Sequence, residues 1–140
     1  MFEHTETVTL ADKEYPIRCD INVLVEIQEQ FDNLSEFEMR IAGLRVAKKT
    51  DGSVIKDKNK KIVFERIQPS LRAIRDVLPY MLKEAAHGKD ITEALEAVKN
   101  AKFDLYDTAV KMHTEYSKCF ERKNAQSARS EIDEKLEMTE

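Results

Sequence analysis

Apolar residues recur at alternating steps of three and four through 68–88. Leu71, Ile74, Leu78, Met81 and Ala85 fall on one helical face, and Val77 and Leu82 widen it. Ser70, preceded by Pro69, is the expected N-cap, and Gly88 suits the C-terminal exit. Pro79 has no N–H to donate and crowds the carbonyl of Arg75, so a kink or an interruption is expected there. A stripe this wide can be covered from two sides, which makes this helix the expected centre of the core.

The pattern before it changes period. Val8 and Leu10 alternate with Thr7 and Thr9, and Tyr15 and Ile17 alternate with Pro16 and Arg18. With the polar turn 11–14 between them, the two runs predict a β-hairpin over 5–18 whose second strand is short or at an edge, because Pro16 cannot donate to a ladder. Asp20 is the next N-cap candidate, and Ile21, Leu24, Ile27 and Phe31 continue from it along one helical face. After Asp32-Asn33, Ser35 and Glu38 read as a capping box, Leu34 can staple onto Met39, and Phe37, Ile41 and Leu44 carry the apolar face to Gly43-Leu44.

Residues 45–66 read as an excursion of two or three short strands with a flexible tip. Asp51-Gly52 turns the chain between 44–46 and 54–55, and Ile62, Val63 and Phe64 form a further strand. Beyond the organising helix, Asp90 and Glu93 offer a cap for a helix carrying Ile91, Leu95 and Val98. An interruption at 100–104 separates it from a long amphipathic helix with Tyr106, Ala109, Val110, His113, Tyr116 and Phe120 on its apolar side. The sum is an α+β fold, mainly α: an N-terminal β-hairpin and a central short-strand hairpin beside four to five helices, one domain over 1–123. Residues 124–140 are expected to form a mobile or partly helical tail.

Composition narrows the class. The 140 residues suffice for one core, and 41% hydrophobic with 36% charged residues describes a folded, highly charged chain. No apolar run approaches the roughly 20 residues that span a bilayer, so no membrane role is expected. The N-terminus lacks the basic and apolar segments of a secretory signal, which predicts a cytoplasmic protein. The elements "TLADKEYPIRCDINVLVEIQEQF", "LSEFEMRIAGLR" and "PSLRAIRDVLPYML" occur in an order that resembles the tail assembly chaperones of long-tailed phages and prophages of Gram-positive bacteria. The resemblance extends through "YSKCFERK", about residues 5 to 123. It implies a protein of the host cytoplasm that binds the aggregation-prone tape-measure protein, keeps it soluble, recruits tail-tube subunits and is absent from the finished particle. Self-association is compatible with such a role. A structural tail component retained in the virion is the alternative, and a small DNA-binding regulator is a third.

Candidate chemistry changes little. His4, His87 and His113 have no metal-ligand spacing. Cys19 and Cys119 lack a CxxC pattern and read as small buried hydrophobes. Without a Gly-rich loop or nucleophile elbow, no enzyme and no cofactor are expected. The abundant carboxylates read as solvated helix faces. The net charge of −4 hides a basic patch, Lys48, Lys49, Lys56, Lys58, Lys60 and Lys61. Lysines on short strands block edge pairing or steer acidic partners. Nucleic acid is not the expected partner, since Glu36 and Glu38 stand beside Arg40 on the helix that would face a duplex. A chaperone for a long helical client needs an exposed apolar face. The candidates are Phe103, Tyr106, Val110 and Phe120 on or near the last helix, with Ile132 and Leu136 in the tail.

Overall fold

The computed structural model describes residues 5–124. The chain opens with β1 (Thr7–Leu10) and β2 (Lys13–Pro16), antiparallel, with Thr7 opposite Pro16 and Leu10 opposite Lys13. The turn is shorter than the sequence suggests. Ala11 and Asp12 alone make it, both at positive φ, a geometry whose twist suits a two-residue hairpin. Val8 and Leu10 face the core, and Pro16 sits at the strand end where its missing donor costs no ladder bond.

Asp20 caps α1 (Ile21–Phe31), its carboxylate accepting from the amides of Asn22 and Val23. The face it buries is Val23, Leu24, Ile27 and Phe31, leaving Ile21 exposed. The next helix, α2 (Leu34–Ala42), begins earlier than expected. Asn33 is its cap, accepting from Glu36 N at 2.8 Å, and Ser35 lies inside the first turn. Gly43 ends it in the left-handed region, as the sequence implies.

The organising helix is α3 (Leu71–Ala86), capped by Ser70 and unbroken through Pro79. It buries Ala73, Ile74, Val77, Leu78, Met81 and Leu82, while Leu71 is exposed. It packs against α1, α2, α4 (Thr92–Lys99), α5 (Leu105–Asn124) and β2, so every other described helix touches it. Asp90 supports the start of α4 by accepting from Thr92 N. Asn100 and Ala101 end that helix, and Asp104 accepts from Asp107 N at the start of α5. The hairpin rests on α4 and α5, and Ala11 N donates to the Lys102 carbonyl at 2.9 Å. Among the described residues the fold is therefore α+β and mainly α, five helices with two small antiparallel sheets. No described helix is long and apolar enough to cross a membrane. Apart from Asn124, the tail at 124–140 lies outside the described residues.

Candidate protein-binding surface

The central excursion is built as a three-way junction. Its base pairs β3 (Leu44–Val46) with β4 (Phe64–Arg66), rather than 44–46 with 54–55 as the Asp51-Gly52 signal suggested. Lys48 bridges Val54, and Lys56 bridges Ile62, closing two further short hairpins. The three arms meet in a ring of backbone bonds: Ala47 N to the Val63 carbonyl at 2.9 Å, Val63 N to Ile55 at 3.0 Å, and Ile55 N to Ala47 at 3.0 Å. Each tip is tied down by an aspartate. Asp51 accepts from the Ser53 amide and hydroxyl, which holds its carboxyl below the usual range, and Asp57 accepts from the amides of Asn59 and Lys61. The expected loose tip is thus a pair of hydrogen-bonded turns.

This junction and α5 approach α2 from two sides and leave a cleft along each. The first, of about 560 Å³, lies between α2, the 66–69 connection and α5; Ile41, Ile67, Pro69, Tyr106, Val110 and His113 are among its walls. The second, of about 640 Å³, lies between α2 and the junction, with Met39, Val46, Val54 and Ile67 as its apolar lining and Arg45 and Lys48 at its margin. Ile67 belongs to both, so the two clefts adjoin there. Gly43 fixes the shared corner: its carbonyl accepts from Ile67 N at 2.8 Å.

The packing of α5 decides which of its residues are available. Its buried face is Thr108, Ala109, Met112, Glu115, Tyr116 and Cys119, rotated from the one the sequence suggests. Tyr106 and Val110 are 56% and 60% exposed, at the mouth of the first cleft. Phe120 is also exposed, but its ring meets Tyr116 edge-on, at the end of an aromatic chain that runs from Phe31 through Phe37. Phe103 is half-buried against the core. Of the expected set, the structure brings Tyr106 and Val110 together and sets Phe103 and Phe120 apart; Ile132 and Leu136 lie outside the described residues. His113 joins α5 to α2 through Glu38 at 3.3 Å, and Tyr116 reaches the Leu34 carbonyl at 3.5 Å, its hydroxyl pushed up to about 12 mainly by burial.

All six patch lysines are exposed. Two polar features escaped the sequence reading. Glu115 is fully buried and accepts from Glu6 N at 3.1 Å and from Lys118 Nζ at 3.3 Å, while Lys118 also reaches Glu6 at 3.2 Å. An acid in register with Met112 and Cys119 was the signal. Cys19 and Cys119 are both buried, and burial first, with Cys119 close by second, raises the Cys19 pKa far above the ordinary thiol value. These thiols are sequestered rather than reactive. Among the described residues no cluster of side chains is arranged to hold a metal ion. No family model, curated protein or solved structure matches this chain.

Proposed function

We propose that this protein is a tail assembly chaperone of a long-tailed phage or prophage, working in the bacterial cytoplasm to hold the tape-measure protein soluble and to recruit tail-tube subunits. The reading rests on the resemblance of the sequence over about residues 5 to 123 to that family. The observation that carries the mechanism is the pair Tyr106 and Val110, large apolar side chains left more than half exposed beside a cleft of about 560 Å³. Each Å² of apolar surface removed from water stabilises by about 25 cal/mol, so apolar side chains of a client helix seated on this pair are held in proportion to the area covered. Binding is reversible and mass action draws the client from its aggregate without covalent chemistry.

The test is co-expression with the tape-measure protein of the same phage or prophage. The client should become soluble and co-purify with the wild-type chain. The double variant Tyr106→Glu with Val110→Glu changes only exposed positions, so it should fold and yet leave the client insoluble. A client equally insoluble with the wild-type chain, or equally soluble with the double variant, would sink this assignment. Recovery of the protein from purified particles would favour a structural tail component instead.

A further inference from the structure

The junction concentrates charge that its own acids do not neutralise. Residues 45–66 hold eight cationic side chains against three acidic ones in a chain of net charge −4. The three acids are engaged locally: Asp51 and Asp57 turn onto backbone amides, and Glu65 pairs with Arg45. None of the six patch lysines forms an ion pair with a described residue. Beside them Val54, Ile62, Phe64 and Ile67 are left 37–49% exposed. Cationic and apolar surface are therefore interleaved on one small element, which contributes Arg66 to the first cleft and Arg45, Lys48 and Val54 to the second.

We infer that this face docks an acidic amphipathic helix of a partner protein, with the helix's apolar side chains on Val54, Ile67 and Val110 and its carboxylates against the patch lysines. The inference rests on the cleft being the client site, and it adds the charge and the form of the segment recognised. The partner is a helix rather than an added strand because the junction offers no continuous edge: its paired stretches are three residues or fewer, and the ring at Ala47, Ile55 and Val63 uses the amides a guest strand would need. The lining favours protein over nucleic acid. Met39, Leu44, Val46, Val54 and Ile67 give phosphates nothing to bond, the arginines of the same walls are already paired, Arg40 with Glu36 and Arg45 with Glu65, and Phe64 is the single aromatic of the segment, too few for a base-stacking platform. Apolar anchors at helical spacing fill such a floor, and a flank of opposite charge on the junction side sets orientation and rejects basic helices.

The experiment is fluorescence anisotropy on the full chain with a labelled synthetic helix of about 18 residues, carrying a leucine stripe at i, i+3, i+4 and i+7 and glutamates on its polar face. Binding should saturate, weaken as salt is raised through the physiological range, and fall about tenfold or more in Lys48→Glu/Lys56→Glu/Lys61→Glu. These positions are exposed, and an unchanged circular dichroism spectrum and melting temperature confirm that the variant folds. The inference is overturned if the triple variant binds as tightly as the wild type. It is equally overturned if a scrambled peptide of the same composition binds as well, since any polyanion would then do. Displacement of the probe by duplex DNA at equal charge would make the occupant nucleic acid. Displacement by a peptide of residues 125–140 would make it the chain's own C-terminus. Peptide binding that persists while client rescue fails would remove the chaperone assignment and leave this recognition intact.

Discussion

Gly43 shows how much a single backbone position can carry. It ends α2 at φ +75°, and a β-carbon there would lie 2.6 Å from the Ile67 carbonyl oxygen, a backbone atom that cannot swing aside. Gly43→Ala therefore combines left-handed strain with a forced shift of the 66–69 connection, and should cost about 2 kcal/mol, read as a lower urea midpoint at unchanged m-value. Because Ile67 lines both clefts, the same variant should also weaken the capture of an apolar ligand. Glu115 is the other position where one side chain holds distant segments. It ties the chain before β1 to the middle of α5 through the Glu6 amide and Lys118. Glu115→Ala leaves that amide without its acceptor and Lys118 with only part of its pairing, an expected loss of about 3 kcal/mol. Glu115→Gln keeps an acceptor for the Glu6 amide and should lose clearly less. Equal losses in the two variants would show that the charge alone matters.

At the level of elements, α2 shows why boundaries were harder to read than existence. Two overlapping pairs satisfy the same capping rule, Asn33 with Glu36 and Ser35 with Glu38. Nothing local separates them. The structure selects the first: Asn33 bonds the Glu36 amide, Glu36 pairs with Arg40 at 2.7 Å, and Glu38 is turned out to meet His113. Asn33→Ala should thus cost about 1 kcal/mol, while Ser35→Ala, a replacement inside the helix by a better helix former, should be neutral or slightly stabilising. Thermal denaturation of the two single variants decides between the caps, and a larger loss at Ser35 would restore the later start. On α5 the helix itself was legible from its periodicity, but its rotation was not. Tyr106, Val110 and Phe120 are apolar enough to suggest the inner face, and only contact with α2, α3 and β1 turns Met112, Glu115 and Cys119 inward instead. The two best surface residues, Tyr106 and Val110, were thus named from the sequence as candidates, whereas their place beside a cleft depended on that rotation. The second cleft itself required the junction's closure, which joins segments spaced eight residues apart through backbone atoms that carry no sequence signal.

The molecule as a whole is fastened between its ends as well as around α3. The central place of α3 could be read from the width of its stripe, but the approach of Cys19 to Cys119 joins the entrance of α1 to the far half of α5, and long-range contacts of this kind have no local pattern. That pair gives the protein a defined response to alkali. The Cys19 thiol is neutral in the fold and its pKa is raised, first by burial and then by Cys119. Below the unfolded thiol value, near 8.5, both states keep the proton and the contribution to stability is complete. Above it the unfolded chain releases the proton and the folded chain does not, so stability should fall by about 1.4 kcal/mol per pH unit. Tyr116 adds the same sign of slope only above the ordinary tyrosine value near 10. The interval between about 8.5 and 10 therefore isolates the thiols. Urea unfolding across that interval should show the decline in the wild type and a shallower one in Cys19→Ala, whatever the variant's stability at neutral pH. An identical slope in both would mean that the thiol is solvated in the fold, and that α5 is not closed onto the entrance of α1 as the geometry describes.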